Sequence, residues 1–106
     1  MKLNKENRIK CGKVINVYPK NHQLLIAMEE SGEFIQAISK YLRYGDTEPL
    51  LEEYADMMVV MEELRQMFNI SKKDINNRCE KKLFRALKGK VAYETIPGNR
   101  RTADDQ

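Results

Sequence analysis

The sequence predicts an all-α protein: an antiparallel helical hairpin, a third helix packed on it, and a four-helix-type bundle completed by oligomerisation. Three observations lead there. Apolar residues recur at spacings of three and four from residue 21 to residue 87, the period of helices that bury one face. Helix start and stop signals bracket each of those stripes. Six methionines among few β-branched residues lean the composition away from strands.

Taken in order, residues 1–20 read as an N-terminal arm. Lys13-Val14-Ile15-Asn16-Val17-Tyr18 alternates in polarity and stops at Pro19, the pattern of a brief strand or extended segment. Residues 21–88 form the helical domain. Asn21 suits an N-cap, and Leu24, Leu25, Met28, Ile35, Ile38 and Leu42 follow in helical spacing. Gly45, after Tyr44, can take the left-handed conformation that ends a helix. Asp46 or Thr47 then caps a second helix with Glu48 and Pro49 in its first turn, its apolar set running from Leu50 to Phe68. Ser71 opens a third, striped by Ile75, Cys79, Leu83, Ala86 and Leu87, with Gly89 as its stop. Residues 89–106 are expected to be a flexible tail, with a turn at Pro97-Gly98-Asn99-Arg100-Arg101.

At 106 residues, the chain has room for one domain. The first two helices, joined by a tight turn, must lie antiparallel. A single hairpin with one more helix leaves apolar surface uncovered. Met57-Met58-Val59-Val60-Met61 is apolar around most of the second helix, which implies burial on more than one side and self-association there. With 42% hydrophobic and 33% charged residues and a mean hydropathy of -0.67, the composition is that of a soluble globular chain. No apolar run has the length of a membrane span, and the basic N-terminus lacks a signal-peptide apolar core. Two cysteines, Cys11 and Cys79, are too few for a disulfide scaffold, so a cytoplasmic location is expected.

The net charge of +3 is strongly segregated. Residues 1–20 carry +5, residues 21–63 carry -8 and residues 64–101 carry +8. A uniformly basic chain would point to nucleic acid; an acidic middle between basic flanks does not. Carboxylates concentrated in one stretch repel one another unless a cation sits among them, and basic groups elsewhere suit an anionic ligand that brings its own metal.

The acids that matter are Glu29, Glu30 and Glu33 on the first long helix and Glu53 and Asp56 on the second. Spacings of three and four project each set from neighbouring positions, where like charges destabilise a helix by a few tenths of a kcal/mol per pair. In the hairpin the two sets fall near each other. Oxygen ligands from two rigid helices suit a hard cation, with Mg²⁺ favoured where phosphates complete the shell and Mn²⁺ as a substitute. Gly32, which costs about 1 kcal/mol relative to Ala inside a helix, leaves room beside the acids for a ligand or a partner helix. Glu62 and Glu63 have no acidic partner three or four residues downstream and read as surface.

Met28-Glu29-Glu30-Ser31-Gly32-Glu33-Phe34-Ile35-Gln36-Ala37-Ile38, followed by Leu51-Glu52-Glu53-Tyr54-Ala55-Asp56-Met57-Met58-Val59-Val60-Met61, resembles the MazG-like all-α nucleoside triphosphate pyrophosphohydrolases. That family's signature is E-E-x-x-E and, about twenty residues on, E-x-x-D. Cys79-Glu80-Lys81-Lys82-Leu83-Phe84-Arg85 resembles the basic helix of its compact, often phage-borne, members. The resemblance runs from about Gln23 to Leu87, and its fold is shared with phosphoribosyl-ATP pyrophosphatases and dimeric dUTPases. It implies Mg²⁺-dependent hydrolysis of a nucleoside triphosphate to monophosphate and pyrophosphate by a homo-oligomer, a dimer or a tetramer. Glu29, Glu30, Glu33 and Asp56 would hold the metal, with Glu53 as a further ligand or as the residue that orients water. One of Glu30, Glu33 and Glu53 would serve as the catalytic base, and Lys82 and Arg85 would contact the triphosphate.

Other residues carry less. His22 and Gln23 sit where a base could be met, but capping or surface roles are the simpler reading. Tyr41 and Tyr44 read as core or interface, Cys11 and Cys79 form no zinc pattern, and no phosphate-cradling Gly-rich loop exists. A single His with no Ser or Cys partner nearby argues against a nucleophile triad. The expected partners are a nucleotide and further copies of the chain, not a membrane or nucleic acid. Two alternatives stand beside this: phosphoribosyl-ATP hydrolysis on the same fold, and a non-catalytic helical binding module.

Overall fold

A computed structural model describes residues 3–95, with side chains to residue 90. Four helices account for nearly all of the described residues: α1 (Lys5–Val17), α2 (Lys20–Tyr44), α3 (Glu48–Met67) and α4 (Lys72–Thr95). The chain divides into two compact units, Met1–Ile70 and Ser71–Gln106, and each is taken by itself.

The first unit is built on α3, which packs against both α2 and α1. Gly45, at φ 71° and ψ 14°, terminates α2 in the left-handed conformation, and its N–H donates to the Tyr41 carbonyl at 2.8 Å. Two residues later Thr47 stands as the N-cap of α3, and the Asp46 side chain accepts from the Glu48 N–H at 3.1 Å. The hairpin and its turn chemistry are therefore as expected. α2 begins two residues earlier than an Asn21 cap predicts. Pro19, at φ -60°, is the N-cap, its fixed torsion setting up the first turn without a side-chain bond.

The segment expected as a strand or an extended arm is helical from Lys5 to Val17. Asn4 caps α1 by accepting from the Asn7 N–H at 2.8 Å, and the helix runs to Val17 before Pro19 ends it. The face it turns inward is Arg8, Cys11, Gly12 and Ile15, spaced three, four and seven apart. That is a helical period written in residues that are mostly not apolar, so hydrophobic alternation of Val14, Ile15 and Val17 masks it. Gly12 brings α1 close to α3: a Cβ there would lie 2.9 Å from the Gln66 side-chain oxygen, which would have to shift. Gln66 fixes α1 in turn, its amide donating to the Arg8 carbonyl at 2.8 Å.

The core is thin. Cys11, Ala27, Ala37 and Val60 are the buried hydrophobic residues, and no described side chain is wholly enclosed. Ala27 and Ala37 let α2 approach α3 closely, flanked by half-buried Leu24, Ile26, Phe34, Leu50, Met57 and Leu64. Phe34 meets Tyr54 edge-on at 6.4 Å. In the methionine-rich run Val60 is buried and Met57 and Met58 half-buried, while Val59 and Met61 are exposed.

In the second unit Ser71 accepts from the Asp74 N–H at 3.1 Å, the expected cap. α4 then passes through Gly89 to Thr95. The predicted stop fails because a glycine weakens a helix without breaking it. The boundary drawn at residue 89 therefore falls inside α4, and the turn expected at residues 97–101 lies outside the described residues. Every residue from 71 to 90 is exposed, so the stripe of Ile75, Cys79, Leu83 and Leu87 is not buried. Among the described residues no helix is long and apolar enough to cross a membrane.

Candidate metal centre

Facing turns of α2 and α3 form the site. Glu30 and Glu33 are three apart on α2, and Glu53 and Asp56 three apart on α3, so each pair spans about one turn on the side of its helix that meets the other. One carboxylate oxygen from each of the four lies within 4.8 Å of the others. Glu30, Glu33 and Glu53 are half-buried and Asp56 is exposed at the mouth. Glu29 is not in this group. It is exposed, because one residue along a helix is about 100° round its axis.

Glu30 Oε2 and Glu53 Oε2 are both shielded from solvent and accept no hydrogen bond. A buried carboxylate oxygen without a donor is costly. The site answers in part by holding protons. Desolvation pushes the Glu30 carboxyl up to about 7, helped by the charges of Glu33, Asp56 and Glu53 and a hydrogen bond with Asp56. Glu53 is raised by desolvation, the charges of Glu33 and Asp56, and hydrogen bonds with both. The ion pairs Lys10–Glu6 and Arg65–Glu62 lie elsewhere.

Four hard oxygen donors, two of them with buried and unused lone pairs, fit a divalent cation such as Mg²⁺ or Mn²⁺. A cation there would satisfy the orphaned oxygens and relieve the mutual repulsion. Ser31, between the two glutamates of α2, turns its hydroxyl to the Ala27 carbonyl at 2.7 Å and leaves the carboxylates to themselves.

The other expected residues fall as follows. Lys82 and Arg85 are exposed on α4, in the second unit. Gln23 is neither a cap nor a surface residue: it is buried and donates to Glu63 Oε2 at 2.8 Å. Glu63, read from sequence as surface, is likewise buried, and burial raises its pKa against the lowering effect of the Gln23 bond. Glu62 pairs with Arg65 at 2.8 Å and accepts from Gln66 at 2.8 Å. Sequence reasoning missed this network because it looked for acids spaced against other acids. The available signal was two acids followed within four residues by Arg65 and Gln66, partners at helical spacing. His22 stacks on Tyr18 with ring centroids 5.1 Å apart. Tyr41 and Tyr44 are exposed, not core, and Arg43 lies over the Tyr44 ring. Cys11 is buried with its Sγ 3.9 Å from the Val59 carbonyl oxygen, and burial together with Glu63 and Glu62 raises its pKa, which makes it an inert packing residue.

No protein-family model, curated protein or solved structure matches this chain.

Proposed function

We propose that the chain is a Mg²⁺-dependent nucleoside triphosphate pyrophosphohydrolase that works as a cytoplasmic homo-oligomer. The observation that carries the reading is the pair of buried, donorless oxygens on Glu30 and Glu53 within a four-carboxylate group. The E-E-x-x-E and E-x-x-D spacing that resembles the MazG-like enzymes supports the choice of substrate.

In this reading Glu30, Glu33, Glu53 and Asp56 hold the metal. Bound Mg²⁺ would supply charge neutralisation on the phosphoryl oxygens. The chain's own residues do the rest. Water attack on the triphosphate breaks the anhydride between the α and β phosphorus atoms, releasing the nucleoside monophosphate and pyrophosphate. One of Glu30, Glu33 and Glu53 takes the proton of that water.

The test is pyrophosphate release from a panel of nucleoside and deoxynucleoside triphosphates, with Mg²⁺ or EDTA, beside Glu33→Gln. Release that needs Mg²⁺, yields the monophosphate and falls about 100-fold or more in the variant is the expected result. Activity on phosphoribosyl-ATP alone would move the assignment to that enzyme. No hydrolysis of any of these would leave a helical binding module.

A further inference from the structure

We propose that α2 pairs with the α2 of a second copy, antiparallel, along a seam on the side of the helix turned away from α3. This deepens the assembly reading above and is independent of the chemistry. The seam is Leu25, Met28, Gly32, Ile35, Ser39 and Leu42, spaced 3-4-3-4-3, the a/d repeat with which two helices mesh. Gln23, Glu30 and Ala37, seven apart, lie on the opposite side of α2; Gln23 and Ala37 are buried and Glu30 half-buried. Leu25, Met28, Ile35 and Leu42 are 66%, 70%, 67% and 78% exposed. None of the six seam positions is charged.

Charge selects the helix. α2 carries Lys20, Lys40 and Arg43 against Glu29, Glu30 and Glu33, so two copies meet without net repulsion. α3 also exposes apolar residues, Leu51, Tyr54 and Met61. It bears six acids against Arg65, however, and self-pairing there would set like charges together.

Shape selects the direction. In an antiparallel pair centred between Glu33 and Phe34, Leu25 faces the partner's Leu42, Met28 the partner's Ser39, and Gly32 the partner's Ile35. Each large residue meets a small one or an equal. A Cβ built on Gly32 touches nothing within 4 Å, so the space for Ile35 is open. A parallel pair in register would set Gly32 on Gly32 and leave a void, with the helix dipoles aligned instead of opposed. The two-fold is isologous, so association closes at a dimer along this seam.

Light scattering on the full chain is the first measurement, with Ile35→Lys beside it; the Ile35 side chain is largely exposed in the single chain, so its replacement should leave helical circular dichroism intact. We expect a multiple of the chain mass for the parent and a halving of that multiple, to the monomer for a simple dimer, in the variant. The second measurement is oxidative cross-linking in a Cys79→Ser background. Met28→Cys with Ser39→Cys should give a covalent dimer. Met28→Cys alone should not, because antiparallel pairing holds its two copies roughly 16 Å apart along the axis. A monomeric parent overturns the assembly reading and the seam together. An oligomer that ignores Ile35→Lys, fails to cross-link, or cross-links through Met28→Cys alone overturns the seam only. Hydrolysis, measured separately, decides the catalytic reading.

Discussion

At the scale of single residues, the four carboxylates of the candidate metal centre should make stability and metal affinity depend on pH in opposite senses. The Glu30 carboxyl is raised to about 7 in the folded chain, against about 4.3 for an unperturbed glutamate. Below the unfolded value both states carry the proton, and the folded state keeps its full stability. Between the two values the folded chain binds more protons than the unfolded one, so stability falls as pH rises and is lost through about 7. Glu53 shifts in the same direction. In EDTA the thermal midpoint should therefore be higher at pH 5.5 than at pH 8, and Glu30→Gln should flatten the difference. With Mg²⁺ the slope should reverse, because protons and metal compete for the same oxygens. Differential scanning fluorimetry across pH, with and without Mg²⁺, reads both; equal slopes in the two conditions would remove the metal from Glu30. At pH 8 without metal, Glu53→Gln should raise the midpoint by a few degrees, as relief of like-charge crowding, and lose the Mg²⁺-induced gain.

At the scale of elements, α1, α2 and α3 are held by a polar network as much as by apolar packing. Glu63 depends on Gln23 for its donor. Gln23→Ala should cost about 1–3 kcal/mol in urea unfolding, the usual penalty for a buried charged acceptor losing its partner, whereas Glu63→Gln should cost far less. Gly12→Leu should free α1 from α3, since even a Cβ meets Gln66 at 2.9 Å; faster amide exchange over residues 5–17, with α2 and α3 unchanged, is the reading to look for. Gly89→Ala should strengthen α4 by about 0.5–1 kcal/mol, because a Cβ there meets open space. These elements also mark what the sequence made legible. α2, α3 and their turn announced themselves, because a glycine with positive φ and a proline in the next first turn have few other uses. Glu30, Glu33, Glu53 and Asp56 were legible for the same reason: two fixed helices make spacing into geometry. α1 was not, because three of the four residues it packs inward are an arginine, a cysteine and a glycine. Glu29 counted as a ligand in the sequence motif, yet helical rotation carries it out of the group. Gln23 and Glu63 stand forty residues apart, and no local pattern joins them.

At the scale of the whole molecule, the question is how a chain with so little interior stays folded. Among the described residues four small or medium hydrophobic ones are buried, while twenty-one large ones are exposed by more than a third. Chains near 100 residues bury only about two-thirds of their unfolded surface and are marginal even with well-filled cores. In the proposed dimer, association would supply the missing burial, and mass action would then couple stability to concentration. The thermal midpoint of the full chain should therefore fall on dilution from the hundred-micromolar to the micromolar range, by several degrees for a domain of this size. Ile35→Lys should lower the midpoint of the concentrated protein to that of the dilute one and abolish the dependence. Mg²⁺ at the proposed site should raise every one of these midpoints, through a stabilisation of RT ln(1 + [Mg²⁺]/Kd). That site would lie on the α3 side of α2, away from the proposed seam, so the increment should be alike in parent and variant. A Mg²⁺ increment that vanished with Ile35→Lys would show instead that the four carboxylates need the second copy to hold their geometry.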